Sequence, residues 1–164
     1  MVDIINNVWS NLPDNIKPIF VLTKNENDNV VCYNFDHNNG LNPKWVMFEI
    51  DGYPTENLNL IENKFCYGVK TIKSTINNSI FSYGNKSITS PTNNEWTLQI
   101  VSVNRNIYVK CHDGKWTAKT KINNILTDLH GLYVHITSYA GIIPTVKYVD
   151  IVGKDNTTER FMVK

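Results

Sequence analysis

The stretch NIYVKCHDGKWTAKTKI, residues 106–122, decides the fold because it predicts a β-hairpin with a fixed register. Asp113 and Gly114 stand between two strand-forming segments. This pair favours a two-residue type I′ turn, in which both central residues have positive φ. A two-residue turn places Cys111 opposite Trp116, and every other pair of the hairpin follows from that one.

The predicted register separates an apolar face of the hairpin from a basic face, because successive side chains of a strand point to opposite sides. A shift of one residue would carry Trp116 from the apolar face into water. Burial of a large apolar side chain contributes about 1.5–3 kcal/mol, so the register is strongly favoured. The apolar face holds Ile107, Val109, Cys111, Trp116, Ala118, Thr120 and Ile122. The basic face holds Tyr108, Lys110, His112, Lys115, Thr117, Lys119 and Lys121.

Short segments rich in β-branched and aromatic residues recur along the rest of the chain and predict a mainly β domain. Turn-forming residues separate these segments. We therefore expect an antiparallel β-sandwich or a partly open barrel of about 8–9 strands. Beside the two hairpin strands, the segments from which the strands of this sheet would come are 19–23, 30–35, 45–50, 80–84, 96–103, 132–139, 146–152 and 160–164.

One short helix is predicted over about residues 55–67, where the hydrophobic period changes from that of a strand to that of a helix. Thr55 suits the N-cap position. Leu58, Ile61 and Phe65 follow at helical spacing and would form one apolar face. We expect this helix to cap an open end of the sheet.

The length of 164 residues fits a single domain. We place one β-rich domain at residues 18–164 and expect residues 1–17 to form an N-terminal arm or a short helix. The net charge of +1 argues against a general nucleic-acid-binding protein. No signal peptide is expected, because the first residues have neither a basic region nor an apolar one, and the apolar runs are shorter than the about 20 residues of a membrane helix.

The composition and the cysteine spacing bear on the source and the location of the protein. Asparagine occurs 24 times, alanine twice, and arginine twice against 14 lysines. We interpret this asparagine-rich composition as the mark of an AT-rich genome. The cysteines Cys32, Cys66 and Cys111 are widely spaced and form no metal-binding pair. Reduced thiols of this kind favour a cytoplasmic location.

Three segments carry a resemblance to a known family. KNENDNVVCY at 24–33 joins a loop to a strand, and WVMFEIDGYPTENLNLIENKFCYGV at 45–69 reads as strand, acidic turn and helix. VKYVDIVGKDNTTERFMVK at 146–164 reads as strand, glycine turn and strand. In this order they resemble the domain-of-unknown-function family 4833, over residues 18–164. The resemblance implies a small domain, and the family brings no established activity, ligand or catalytic residue.

The resemblance is carried by individual positions, with two departures, one of which is a shorter connector before Trp45 in this chain. The family often has arginine where Lys24 stands, and lysine cannot replace a guanidinium that binds bidentately. The matched positions are Asn29, Tyr33, Trp45, Phe48, Asp51, Gly52, Leu58, Glu62, Tyr67, Gly68, Val146, Lys147, Tyr148 and Gly153.

A ligand pocket, if the domain has one, is expected under the predicted helix, where the end of the sheet is covered. The candidate residues there are Trp45, Glu49, Glu62 and Tyr67. An enclosed glutamate would have a raised pKa and could act as an acid or a base. The alternative is a solvated glutamate on an amphipathic strand or a structural salt bridge.

The basic hairpin face is the other candidate, because Lys110, Lys115, Lys119 and Lys121 lie on one side of a single hairpin. Such a face can attract an anionic partner. The alternative is a solvated face whose lysines discourage aggregation through a sheet edge.

These observations favour a cytosolic binding or interaction module without an evident catalytic motif. Its partner would be a small ligand or a protein, while nucleic acid and membrane are not expected. An enzyme that uses Glu49 or Glu62 as general acid or base is one alternative, and a structural component of a cellular or viral assembly is another. No metal site and no cofactor are predicted, since the four histidines are far apart in sequence and no phosphate-binding or dinucleotide-binding motif occurs.

Overall fold

The structure is a computed structural model that describes residues 2–12, 14, 16–25, 29–36, 40–47, 53–57, 69–72, 95–100, 102–140 and 143–163. These residues form one helix and eleven strands, where eight or nine strands were expected. The strands make a curled open sheet, a half-barrel. The mainly β class is therefore confirmed, and the observed architecture is the partly open barrel.

The elements follow the chain in a simple order. They are α1 (Val2–Ser10), β1 (Phe20–Lys24), β2 (Asn29–Asp36), β3 (Gly40–Met47), β4 (Tyr53–Asn57), β5 (Val69–Ile72), β6 (Glu95–Ile100), β7 (Arg105–His112), β8 (Lys115–Ile122), β9 (Ile125–Ala140), β10 (Ile143–Gly153) and β11 (Thr158–Met162).

Strand β9 joins the two halves of the sheet. Its first residues, 125–128, pair with β8, and residues 131–134 pair with β1. Along its opposite edge β9 pairs with β10, which in turn pairs with β11. The strand order is β4-β3-β2-β1-β9-β8-β7-β6-β5, with β10 and β11 off this path.

The hairpin of β7 and β8 has the predicted register. Cys111 lies opposite Trp116, and Asp113 and Gly114 have φ values of 52° and 77°. Burial alternates along β7 as the register requires. Trp116 packs against the core, so the side chain that fixes the register is on the apolar side.

A second two-residue turn joins β8 to β9 and was not predicted. Asn123 and Asn124 have φ values of 52° and 71°, and Ile122 lies opposite Ile125. Asparagine tolerates this left-handed conformation better than most residues do. The turn allows β9 to begin at residue 125 rather than at the predicted residue 132.

The core lies on the concave side of the sheet, between the halves that meet at β9. Side chains of β6, β7 and β8 face those of β1, β2, β9 and β10 there. The fully or almost fully buried members are Phe20, Leu22, Val31, Tyr33, Leu98, Ile100, Ile107, Val109, Leu129, Leu132, Val149 and Ile151.

One strand pairing differs from the expected antiparallel arrangement, because β1 runs parallel to β9. Leu22 and Leu132 are partners in this pairing, and both belong to the core. The two strands are distant in sequence, so no hairpin turn dictates their relative direction. Hydrophobic periodicity identifies each strand but does not specify its neighbour.

The helix predicted over residues 55–67 is wrong at its start, because residues 55–57 belong to strand β4. Asn57 lies opposite Lys44 in β3, and Pro54 lies opposite Val46. Pairing with β3 supplies hydrogen-bond partners to this segment, and this tertiary context overrides the N-cap signal of Thr55. Residues 58–67 lie outside the described residues, and so does the predicted strand 80–84.

The helix that the structure does show, α1, packs on the convex side of the sheet. Its buried residues Ile5 and Val8 belong to a second apolar cluster. The sheet contributes Val21, Val30, Cys32 and Val152 to that cluster. Gly131 lies in the sheet surface directly beneath α1, since a Cβ atom there would lie 2.7 Å from Ile5 Cγ2.

His130 holds α1 through polar contacts at the edge of this cluster. Its Nε2–H donates to Asn6 Oδ1 at 3.0 Å, and its ring stacks on Trp9 with centroids 4.9 Å apart. The Trp9 indole N–H donates to the His130 carbonyl at 3.1 Å. Burial, and then the charge of Lys154, lower the pKa of His130 below its ordinary value of 6.5. The buried Nδ1 has no hydrogen-bond partner in the described part of the chain, so a proton placed there would be unsatisfied.

We predict that the free energy of unfolding falls as the pH drops below 6.5, the ordinary pKa of His130. The folded state resists protonation of His130, so below that pH the unfolded chain binds more protons. Denaturant unfolding at about pH 7.5 and about pH 5 would measure the loss. His130→Gln is the control and should lose less stability over the same interval. An equal loss in both proteins would assign the effect to groups other than His130.

We also predict that Gly131→Ala destabilises the protein by about 1–3 kcal/mol, because the new methyl group would be packed too closely against α1. Its closest neighbours would be Cγ2 and Cδ1 of Ile5, at 2.7 and 2.8 Å. Denaturant unfolding measures the effect. The substitution should cost less in an Ile5→Ala background, and an unchanged cost there would contradict the proposed contact.

Candidate functional site

The predicted pocket residues fall mostly outside the described residues. Trp45 lies in β3, opposite Val31 of β2. Glu49, Glu62 and Tyr67 are outside the described ranges. Their grouping into a pocket, and the use of either glutamate as an acid or base, remain predictions.

The predicted basic face lies on the convex side of the half of the sheet that contains β7 and β8. We call it the lysine face and define it as Tyr108, Lys110, His112, Lys115, Lys119 and Lys121. All six residues are exposed. The confirmed register places Tyr108 opposite Lys119 and His112 opposite Lys115.

The lysine face carries more positive than negative charge. Lys119 lies 3.9 Å from Asp128, with both side chains about half exposed. An exposed pair of this kind contributes little to stability. Within the described residues, Lys115 and Lys121 make no ion pair with a carboxylate. Exposed cations that are not neutralised attract anions over about one Debye length, roughly 8 Å at physiological salt.

Apolar side chains continue the lysine face into β9. Leu126 lies opposite Lys121 and is 52% exposed. Tyr108, within the lysine face, is 46% exposed. The surface therefore combines cations with apolar contact area.

A second polar cluster lies on the convex side of the other half of the sheet, and sequence analysis did not identify it. We call it the Tyr148 cluster and define it as Tyr133, His135, Tyr148, Asp150 and Arg160. Three strands bring these residues together, because Asp150 of β10 lies opposite Tyr133 of β9 and Arg160 of β11. The next rung places Tyr148 opposite His135.

Arg160 and Asp150 form a bidentate ion pair in this cluster. Nε and Nη2 of Arg160 donate to the two carboxylate oxygens of Asp150 at 2.8 and 3.0 Å. The Asp150 side chain is only 2% exposed, whereas that of Arg160 is 50% exposed. The hydrogen bond to Asp150 is the main cause that raises the pKa of Arg160. Burial, followed by the nearby Tyr148 and Asp150, raises the pKa of Tyr133.

The Tyr148 ring is held between two planar groups. The His135 ring stacks on it at 4.7 Å between centroids and 3° between planes. The Arg160 Cζ lies 3.9 Å from the Tyr148 centroid. Because β9 and β11 flank β10 on opposite sides, His135 and Arg160 contact opposite faces of the ring. Arginine stacks on aromatic faces in this way, which an ammonium group does less well.

The arginine count is the one signal in the sequence from which this cluster could have been found. The chain has two arginines against 14 lysines, so each arginine stands where lysine is the common choice. Both stack on rings near β11: Arg160 on Tyr148, and Arg105 on Phe161 at 4.3 Å. Sequence alone does not show which ring meets which guanidinium, because the partners come from different strands.

Two further features of the described residues bear on the choice of function. No three His, Cys, Asp or Glu side chains within the described ranges are grouped as a metal site would need. Among the same residues, no helix is both long and apolar enough to cross a membrane.

The fold and these surfaces define a mainly β domain with an N-terminal helix on its convex side. The model of the family DUF4833, a domain of unknown function, matches residues 20–164, and the chain belongs to this family. The resemblance found in the sequence is thereby confirmed. Neither the curated proteins nor the solved structures contain a match to the chain. Helix α1 precedes the matched residues.

We predict that Arg160→Leu destabilises the protein by about 1–3 kcal/mol, because it leaves the buried Asp150 carboxylate without its partner. Thermal or denaturant unfolding measures the loss. Arg105→Leu is the matched control and should cost less, since no described carboxylate depends on Arg105. Replacing Asp150 and Arg160 together with leucine should recover most of the loss. A double variant as unstable as the single one would contradict this account.

Proposed function

We propose that this chain is a non-catalytic binding module that uses the lysine face to hold an acidic surface of a protein partner. The observation that carries the proposal is the exposure of four lysines on one side of a hairpin with a fixed register. The hairpin backbone fixes the spacing between the lysine positions. No backbone segment therefore has to become ordered when a partner binds. Electrostatic complementarity would increase the association rate and select acidic partners.

The apolar residues within and beside the lysine face support a protein as the partner. Tyr108 and Leu126 are about half exposed, and a flat protein surface on the lysine face would remove them from water. A single-stranded nucleic acid is usually bound by several aromatic rings on which bases stack. Tyr108 is the one aromatic residue in the lysine face as defined, and the net charge of the chain is only +1.

The state of the cysteines supports a location in the cytoplasm as part of the same proposal. Cys32 is a free thiol, and both Cys32 and Cys111 are buried. Burial raises the pKa of Cys32 to about 12, so its thiol stays protonated and unreactive. Buried free thiols are typical of proteins from reducing compartments.

We predict that Lys115→Glu combined with Lys121→Glu weakens binding to a fluorescent poly-L-glutamate peptide by about tenfold or more. The two substitutions reverse the charge at the lysines that make no ion pair with a described carboxylate. Fluorescence anisotropy at several salt concentrations measures the dissociation constant. The wild-type affinity should fall as salt rises, because salt screens exposed charges.

Lys17→Glu combined with Lys147→Glu is the matched control. Both lysines are exposed, both lie outside the lysine face, and the pair changes the net charge by the same amount. This control should bind poly-L-glutamate within about twofold of wild type. Equal losses in the two double variants would overturn the proposal. A single-stranded DNA that binds the wild type more tightly than poly-L-glutamate would overturn the choice of a protein partner.

A further inference from the structure

Arg160 is held in one orientation by its neighbours, although it lies at the surface. Two hydrogen bonds to Asp150, at 2.8 and 3.0 Å, fix the plane of the guanidinium. The Tyr148 ring supports one face of that plane, 3.9 Å from Cζ. Tyr148 is itself supported from behind by His135. A side chain that is already ordered loses little entropy when it binds a ligand.

Arg160 retains hydrogen-bond donors for a ligand. A guanidinium carries five N–H donors, and the bonds to Asp150 use one on Nε and one on Nη2. Nη1 and the second N–H of Nη2 therefore point away from Asp150. No described residue accepts a hydrogen bond from them, and half of the side chain is exposed. These donors form the planar fork that matches the two oxygens of a carboxylate or phosphate.

The choice of arginine at this position is informative in a chain with 14 lysines and two arginines. Lysine can neutralise a buried carboxylate, but it cannot bind Asp150 bidentately and present a second fork to solvent. An ion pair alone therefore does not account for the arginine. The bidentate pair and the stacking on Tyr148 both require a planar guanidinium, and this same group presents a second fork that can bind an oxyanion.

An exposed apolar side chain lies beside the guanidinium. Met162 is opposite Tyr148 in the β10–β11 register and is 56% exposed. Residues 160 and 162 are two apart on β11, so their side chains lie on the same side of the sheet. The part of a ligand that does not contact Arg160 would lie within reach of the Met162 thioether. Methionine accommodates apolar groups of varied shape.

From this geometry we propose that the Tyr148 cluster is a binding site for a small ligand that carries an oxyanion and a short apolar part. Arg160 contacts the carboxylate or phosphate group, and Met162 contacts the apolar part. Asp150, Tyr148 and His135 are positioning residues that hold the guanidinium in place. Because Asp150 neutralises the charge of Arg160, the site selects by hydrogen-bond geometry more than by net attraction. The site is separate from the lysine face and does not depend on its function.

Nuclear magnetic resonance titration of the full chain tests the proposal. Inorganic phosphate, acetate and butyrate are added in turn, with sodium chloride adjusted to keep the ionic strength constant. The Arg160 Nε–H resonance and the amides of β10 and β11 are observed. Saturable shifts with phosphate alone identify a phosphate ligand, and shifts with the carboxylates alone identify a carboxylate ligand. Tighter binding of butyrate than of acetate supports the contact with Met162.

Substitutions assign the shifts to the guanidinium. Arg160→Lys keeps the charge and should weaken binding by about tenfold. Arg105→Lys is the matched control, because it makes the same change at the other stacked arginine, and it should bind within about twofold of wild type. Tyr148→Leu keeps the ion pair, removes the stacking support and should also weaken binding. It remains informative if Arg160→Lys fails to fold.

Three results would overturn the proposal. One is the absence of a saturable shift at Arg160 in the wild type with any of the three anions. Another is an equal loss of binding in Arg160→Lys and Arg105→Lys. The last is loss of the shifts in the variant that carries Lys115→Glu and Lys121→Glu, which would place the anion on the lysine face instead.

Discussion

The hydrogen-bond ladder of strand β9 is the constraint on which the rest of the structure depends. Its first residues pair with β8, and its later residues pair with β1 on one edge and β10 on the other. The strand changes phase between Leu129 and Leu132, which are three apart yet both face the core. Residues of one strand normally alternate, so this change and the register shift beside Gly153 indicate a β-bulge. The bulge turns the Gly131 backbone toward α1, and the helix packs closely against it.

The sequence predicts those parts of the fold that depend on neighbouring residues. The β7–β8 hairpin is one, since a two-residue turn and the alternation of its strands determine all its pairs. The turn at Asn123 and Asn124 has the same geometry and escaped prediction because Asn-Asn is a weaker signal than Asp-Gly. The parallel contact of β1 with β9 is non-local, and no property of either strand specifies it. At residues 55–57 a local helix signal and a distant strand partner compete, and the partner prevails.

The two candidate sites differ in the same respect. The lysine face belongs to a single hairpin, so alternation along β7 and β8 was enough to group its side chains. The Tyr148 cluster needs the registers of β9, β10 and β11 at once. A bulge in any of these strands would place its residues on the opposite side. Composition carried a partial signal, since a rare arginine in a lysine-rich chain marks a position where a planar group is needed. The identity of its ring partners became visible only in three dimensions.

The position of α1 has a practical consequence for work with this family. The family match begins at residue 20, whereas the side chains that cover Val21, Val30 and Val152 come from residues before it. A shortened polypeptide that starts at the family boundary would expose these valines to solvent as a contiguous apolar patch. Such a fragment would self-associate and lose solubility even if every strand formed correctly. We therefore expect the boundary of sequence similarity and the boundary of an independently soluble unit to differ in this protein.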